Sequence, residues 1–551
     1  MSRTSPTGTP LGDSFHLYDT TLRDGAQREG ISYSVADKLA VARLLDTLGV
    51  GFIEGGWPGA LPKDTEFFAR AAAGELELAH AALVAFGSTR RAGLTAAADP
   101  QVQALLAAQA PVITLVAKSD RRHMQRALRV DVAEACAMVR DTVALLVAEG
   151  RRVFLDAEHF FDGYAFDADC ALRVLDAGIT AGADLAVLCD TNGGQLPLGL
   201  AETVTEVVAR TGFRVGIHCQ DDTACAVANS IAAVQAGASH VQCTANGYGE
   251  RTGNADLFAV IGNLATKLGM AVLPEPGMAE LTHTAHALAE IANLAPDTHQ
   301  AYVGRSAFAH KAGLHASAIK IDPELYNHLD PAVVGNSQRV LVTEMAGRAS
   351  IELKGAELGL DLAGRSAELS AVAKRIKELE SQGWSFEAAD ASFELLVRHE
   401  VDEVPPAPPF QLESYRVVVD HQADGDVVAQ ATVKMLVAGE RVIATAEGNG
   451  PVNALDAALR HALGGHVPWL DAVELSDYKV RILPGTYGTD AVTRVLVDTS
   501  DGAGSWTTVG VHGNVVEASW LALVDAMTYA ALRHSAAAIP ASSGRNGVTG
   551  R

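Results

Sequence analysis

The chain has 551 residues, 48% hydrophobic and 20% charged, the composition of a folded globular protein rather than a disordered one. Lys plus Arg number 43 against 66 Asp plus Glu; the formal charge of −23 argues against nucleic acid or an anionic membrane as the main partner. The length allows roughly two to four domains, and an anionic small molecule stays open as a ligand, because a few local cations dominate one pocket.

Residues 1–13 read as a flexible polar tail without the apolar stretch of a secretory signal. Cys136, Cys170, Cys189, Cys219, Cys225 and Cys243 form no C-x-x-C pair. They fit reduced thiols in a cytoplasmic protein better than a disulfide frame or a structural zinc site. No uninterrupted apolar run approaches ~18 residues, so no membrane-spanning helix is expected.

Eight strand-like runs follow, each succeeded by an Ala/Leu-rich amphipathic stretch. They begin at Phe15, Gly51, Ala79, Val112, Arg152, Leu185, Arg214 and His240. Their mean spacing of about 32 residues suits a βα unit, and eight units in ~250 residues predict a (β/α)8 TIM barrel over 14–270. A doubly wound open sheet is the rival. Polar residues gather where strands give way to loops: Arg23 and Asp24, Glu54, Glu158 and His159, Asp190 and Thr191, His218, Gln220 and Asp221, Asn246 and Glu250. Loops are polar anyway, but in a barrel those strand ends share one mouth, the catalytic face.

From 271 to 404 the pattern turns to helical subdomains, closed by the proline-rich linker "EVPPAPPF" at Glu403–Phe410. An α+β domain is expected over 411–535. It holds two βββα units, with Gly450 and Gly513 standing alike before the two helices, a pseudo-twofold module suited to binding or regulation. A flexible tail, 536–551, completes the chain.

Chemistry concentrates on strands one, seven and eight. Asp24 is a hard oxygen ligand for Mg²⁺ or Mn²⁺, and Arg23 beside it is a fixed cation for a developing oxyanion, although an Arg–Asp pair is more often a plain ion pair. In "GIHCQDD" His218 and Gln220 share a strand face. His218 is a candidate ligand, but one histidine alone is more often a packed one. The glycine-rich "GYGERTGN" brings Glu250 and Asn254 toward strand one and offers backbone N–H groups to an anion.

"DTTLRDGAQ", "GIHCQDDTACAVANSIAAVQAGA", "GYGERTGN" and "SAFAHKAGLHASA", in that order, resemble the acyl-CoA-dependent 2-oxo-acid synthases, the group of the α-isopropylmalate, homocitrate and citramalate synthases. The resemblance covers about residues 14–535. "FIEGGWPG", "FLDAEHFFDGY" and "VGNSQRVLVTEMAGRASI" are most similar to the branch that condenses pyruvate with acetyl-CoA on a route to isoleucine.

The resemblance implies a metal held by Asp24, His218 and Asn254, and a keto oxygen polarised by Arg23. It places Gln27 and Glu54 at polar pocket positions, Glu158 near the substrate and Thr191 on the oxo-acid carboxylate. His315 takes part in acetyl-CoA activation with Tyr326 nearby, both reaching the mouth from a partner subunit, which implies a homodimer. It also implies an amino-acid-sensing C-terminal domain, with isoleucine the expected effector. The family usually carries His-x-His on strand seven, where this chain has His218–Cys219–Gln220. A neutral glutamine amide is a poor zinc ligand, so Gln220 is a weak ligand, a water-mediated one, or the mark of a site that has lost its metal; with the other motifs intact, a retained Mg²⁺ or Mn²⁺ site is expected over Zn²⁺. His310 is an alternative base, and Lys311 a point charge for CoA phosphate. A sibling synthase, a retro-aldol lyase and a non-catalytic sensor are the competing readings.

Overall fold

The structure is a computed structural model that describes residues 12–537 except 344–346, 422, 424 and 484–490. The expected tails at 1–13 and 536–551 lie almost wholly outside the described residues. By contact the chain divides into two compact units. Among the described residues, one holds 12–308 and 327–338, and the other holds 309–326 and 339–537. This partition differs from the linear segments 271–404 and 411–535.

The first unit is a closed eight-stranded parallel barrel. Its strands are β1 (His16–Asp19), β2 (Phe52–Gly56), β3 (Ala82–Ser88), β4 (Val112–Lys118), β5 (Arg152–Glu158), β6 (Leu185–Asp190), β7 (Val215–Cys219) and β8 (His240–Cys243), in sequence order, with β8 pairing back onto β1. Each coincides with one of the eight runs read in the sequence. Local chemistry starts the helices between them: Ser34 and Asp37 form a reciprocal capping box at Val35–Leu48, and Asp131, Asp167 and Asp256 cap theirs with side-chain oxygens.

Two apolar layers hold the barrel. The outer one, between strands and helices, includes Leu17, Ile53, Leu155 and Ile217. The inner one stacks Tyr18, Phe52, Val84, Val112, Phe154, Leu185, Val187 and Cys189. Strand alternation explains the division, since successive side chains point to opposite faces. Below the inner layer, His16 and His240 meet Nδ1 to Nδ1 at 3.3 Å. Above it lie Glu54, Asp156, His218 and Gln242, all at least nine-tenths buried. The barrel interior is thus apolar in the middle and polar toward the mouth. Cys219 and Cys243 belong to the outer layer; Cys189 points inward instead and reaches the mouth cavity.

In the second unit, two short parallel strands, β9 (Ala309–His310) and β10 (Arg339–Val340), flank the helix Gly313–Ile321. Three helices, Arg348–Glu357, Ser366–Ser381 and Asp390–Val401, come next. Then β11 (Phe410–His421), β12 (Val427–Val437) and β13 (Glu440–Gly448) form one antiparallel sheet, followed by the helix Pro451–Leu463. A second sheet of β14 (Glu474–Ile482), β15 (Thr493–Ser500) and β16 (Ser505–His512) is followed by the helix Val515–Ala537. These are the two βββα units.

The middle helices share a core with the second sheet: Ile351, Val372, Ile376 and Phe393 pack with Val509 and Val511. Ser392 Oγ donates to Asp525 at 2.6 Å and accepts from the Val509 N–H at 3.0 Å. The stretch Val515–Ser535 is long and apolar enough to cross a bilayer by composition, but half of it is buried in the unit, where Trp520, Leu523 and Met527 pack into the two-sheet core.

Candidate active site at the barrel mouth

A cavity of about 680 Å³ opens at the C-terminal ends of the strands. Arg23, Asp24, Gln27, Glu158, Thr191, His218 and Gln220 all line it, the majority of the residues singled out in the sequence.

Arg23 leaves the end of β1 and is held from three sides. Its Nε donates to Glu54, its Nη1 lies 3.6 Å from Asp24 Oδ2, and its guanidinium lies 3.9 Å above the Phe86 ring. Burial works against its charge, but Glu54 and Asp24 outweigh that and push its pKa up, so it is a permanent cation. Glu54 is fully buried and also accepts from Tyr18 OH and from Thr20 Oγ1. It therefore lies beneath Arg23 rather than on the cavity wall, and fixes where the guanidinium points.

Asp24 and His218 meet across the barrel, Oδ2 to Nε2 at 3.3 Å. Burial alone pushes the Asp24 carboxyl up, but Arg23 and His218 together bring it down to about 2. His218 is raised: burial lowers it, and Asp24 more than reverses this. The Gln220 Nε2 sits 3.3 Å from Asp24 Oδ2 and 3.4 Å from His218 Nε2. Asn254 is bridged to Gln220 through backbone and donates its Nδ2 to the Tyr248 carbonyl at 3.0 Å.

Two polar atoms here have no partner: Gln220 Oε1 and Asn254 Oδ1, both buried. A buried acceptor left unpaired costs about 1–3 kcal/mol, so two in one place mark a spot built for something else. Among the described residues no three His, Cys, Asp or Glu side chains gather as a metal site. Instead, one carboxylate and one imidazole are accompanied by two amides. That donor set, rich in oxygen and free of thiolate, fits a hard divalent cation.

Farther round the mouth, Glu158 pairs with Lys118. The Thr191 Oγ1 accepts from the His159 N–H at 2.8 Å, leaving its own hydroxyl hydrogen free to donate. Gln27, in the turn Gly25–Gln27, is exposed at the rim. His315 and Tyr326 belong to the other unit, where their rings stack with centroids 4.1 Å apart, and His310 lies 6.2 Å from His315. Lys311 pairs with Glu387 at 3.2 Å.

Sequence reasoning missed Gln242 and Asp156. His218 Nδ1 lies 2.9 Å from Gln242 Oε1, and Gln242 Nε2 donates to Asp156 Oδ1 at 2.9 Å. Burial first, then Glu54, pushes Asp156 up to about 7. Asp156 lies two residues before Glu158, the end of β5, and Gln242 two residues after His240 in β8, so strand alternation, which puts each on the inward face, was the signal that could have found them.

The chain matches three family models: HMGL-like over residues 14–295, homocitrate synthase post-HMGL domain-like over 302–383, and LeuA allosteric (dimerisation) domain over 387–531. It is 62% identical to the (R)-citramalate synthase of Streptomyces coelicolor, covering 95% of this chain and 98% of that one. It is 47% identical to the (R)-citramalate synthase of Synechocystis sp., over 94% of this chain and 96% of that one. The (R)-citramalate synthase of Aquifex aeolicus is 45% identical, over 94% and 98% respectively.

Proposed function

Since the chain belongs to the (R)-citramalate synthases, within the HMGL-like family and with a LeuA allosteric domain, we propose that it joins acetyl-CoA and pyruvate, with water, to give (R)-citramalate and free CoA. The observation that carries this reading is the convergence of Arg23, Asp24, His218 and Gln220, with its unpaired amide oxygen, at one cavity, while Asn254, bridged to Gln220 through backbone, brings a second unpaired amide oxygen.

Asp24, His218, Gln220 and Asn254 are the residues that would hold the divalent metal, with Mg²⁺ or Mn²⁺ favoured by the amide oxygens and Zn²⁺ less suited. When bound, such a cation supplies Lewis acidity toward a keto oxygen. Arg23 aims a fixed charge into the cavity, where it stabilises the oxyanion that develops as the keto carbon is attacked. Because Glu54 pins the guanidinium beforehand, little reorganisation is needed at that moment. Thr191 Oγ1 is placed to donate to the oxo-acid carboxylate, with Gln27 at the rim. Glu158 supplies an acidic group near the substrate.

The base that takes a proton from the acetyl methyl group is His315, with Tyr326 stacked on it to orient the ring and relay a proton. The resulting carbanion bonds to the keto carbon, the alkoxide gains a proton, and water cleaves the thioester to release the CoA thiol. We assign His315 and Tyr326 to the mouth of a partner subunit in a homodimer, and the C-terminal module to feedback by an amino acid, isoleucine by family expectation.

A thiol-release assay with acetyl-CoA and a panel of 2-oxo acids tests the reading. Release with pyruvate alone supports it. Preference for 2-oxoisovalerate or 2-oxoglutarate would make the chain a sibling synthase, and no release with any acid would leave it a sensor. His315→Ala should abolish turnover with pyruvate binding nearly unchanged.

A further inference from the structure

Phosphate-bearing thioesters carry several negative charges, and this chain carries 23 excess negative charges of its own. Some local feature must overcome that repulsion. Most cations around the mouth are already neutralised. Arg23 is engaged by Glu54 and Asp24, Lys118 by Glu158, Arg251 by Asp222, Arg91 by Asp99, and Arg90 by Glu134 and Asp141.

The segment after β4 is different. Residues 121–129 read "RRHMQRALR": four arginines and a histidine in nine positions, with no acid among them. Arg121 pairs with Asp167 and Arg122 with Asp120. Arg126 and Arg129 make no ion pair among the described residues, and both are exposed. The backbone presents them through a widened helical turn, Met124–Leu128, which ends where Arg129 takes a left-handed conformation at φ 58°. Such turns cost helix regularity and recur at functional sites.

A second cavity, of about 630 Å³, is lined by Arg122, His123, Arg126, Ala127, Asp162 and Asn192. Ala127 also lines the mouth cavity, as does Leu128. The two hollows therefore adjoin across one residue, the first holding the reacting groups and the second an uncompensated arginine. Asp162 is the one carboxylate in this wall, and the Asn192 amide donates to it.

We propose that Arg126, in the wall of the side cavity, together with the exposed Arg129 at the end of the same turn, holds the 3′-phosphate and diphosphate arm of the acyl-CoA while its acyl end lies in the mouth. This assignment rests on the reading that acetyl-CoA is the acyl donor. Arginine suits the task, because its planar fork meets phosphate oxygens in pairs and its charge persists at any working pH.

Two measurements on the full-length enzyme test it. First, steady-state kinetics compare the parent with Arg126→Glu, Arg129→Glu and the conservative Arg126→Lys, using acetyl-CoA and the truncated donor acetyl-pantetheine. The glutamate variants should raise KM for acetyl-CoA about ten-fold or more, leave KM for pyruvate within two-fold, and leave the acetyl-pantetheine reaction unchanged; Arg126→Lys should restore most of the loss. Second, adenosine 3′,5′-bisphosphate binding is measured by calorimetry without turnover. It should weaken about five-fold or more in Arg126→Glu, and more steeply with added salt in the parent than in the variant. Unchanged KM for acetyl-CoA together with unchanged bisphosphate binding would overturn the assignment. Were the parent to release no thiol with any 2-oxo acid, the proposed function would fall, while the calorimetry would still decide whether this segment is a phosphate site.

Discussion

His218 Nδ1 and Gln242 Oε1 face each other at 2.9 Å across the β7–β8 register. Because Gln242 spends its Nε2 on Asp156, its oxygen is the atom left for His218. The Nδ1 nitrogen must then carry a hydrogen, and Nε2 is left to face Asp24 and Gln220. A partner of this kind sets the tautomer and direction of a metal-binding imidazole. Gln242→Leu should therefore cost about 10–100-fold in turnover or metal affinity. Gln242→Glu, which keeps an acceptor, should retain more activity than Gln242→Leu. Metal titration followed by activity checks both, and equal losses in the two variants would argue for packing alone.

In the proposed metal site, Gln220 stands two residues after His218 on the same strand face, where a second imidazole would add a softer ligand. Gln220→His should increase retention of Zn²⁺ after dialysis and shift the activating metal toward Zn²⁺, since imidazole is a softer ligand than an amide oxygen. Metal content measured by elemental analysis, with activity against a metal panel, reads this out. The parent should retain less Zn²⁺ and be activated best by Mg²⁺ or Mn²⁺.

Asn254 depends on two glycines. A Cβ on Gly253 would stand 1.9 Å from the Gly247 carbonyl oxygen, at a φ of +94° that side chains rarely adopt. On Gly249 it would meet Asn254 Nδ2 at 2.2 Å. Gly253→Ala should thus move the whole loop, lowering turnover about 100-fold or more and destabilising the barrel by about 1–3 kcal/mol. Gly269→Ala, at φ +69° with nothing near its Cβ, isolates the backbone cost and should leave turnover intact. Chemical denaturation and kinetics on the same samples separate the two effects.

The barrel floor should be acid-sensitive. Burial holds His16 down to about 4, against the pull of Asp13, and the Arg214 and Arg152 charges add to the burial effect. His240 is pushed well below its usual range by burial and by His16 and Arg214. Unfolded, both titrate near ~6.5. Below that pH the unfolded chain takes up protons that the folded one refuses, so stability present at neutral pH is lost progressively as pH falls from about 6.5 toward 4. Asp19 and Asp156, raised to about 7 by burial, act in the opposite sense, favouring the folded state at low pH and losing that contribution as pH rises through 7. A parent-to-variant comparison cancels them. His240→Phe, set among Tyr18, Phe52 and Phe154, should show a smaller drop in urea midpoint between pH 7 and pH 5 than the parent.

All eight barrel strands were legible from the sequence, because each is a short apolar run ending in polar residues, and a parallel strand buried on both faces leaves that trace. Asp24, Arg23 and His218 were legible for the same reason: they stand at strand ends, where polar residues are conspicuous. Gln242 and Asp156 were not, because a polar residue inside an otherwise apolar strand reads as noise until the barrel closes and places the two side chains together. Glu54 was legible as a polar strand-end residue, but its place beneath Arg23 depends on side-chain reach, which spacing does not encode. The two units were the least legible. The proline-rich linker is a strong local signal, yet Ile351, Val372 and Phe393 before it share a core with Val509 and Val511 after it. Contacts over more than a hundred residues leave no mark in a local window.

That shared core has a practical meaning for recombining this protein with its relatives. The chain passes from one unit to the other at 308–309, 326–327 and 338–339, rather than once at the prolines. A chimaera spliced at Glu403–Phe410 would sever a folded body and leave Val342, Ile351 and Phe393 beside foreign strands. A transplanted sensor needs the stretch from Arg339 onward to keep its own interior. It also needs the excursion at 309–326, which carries His315, to travel with it. Exchanging the regulatory half therefore exchanges a residue proposed for catalysis, so new feedback behaviour and new turnover would be inherited together.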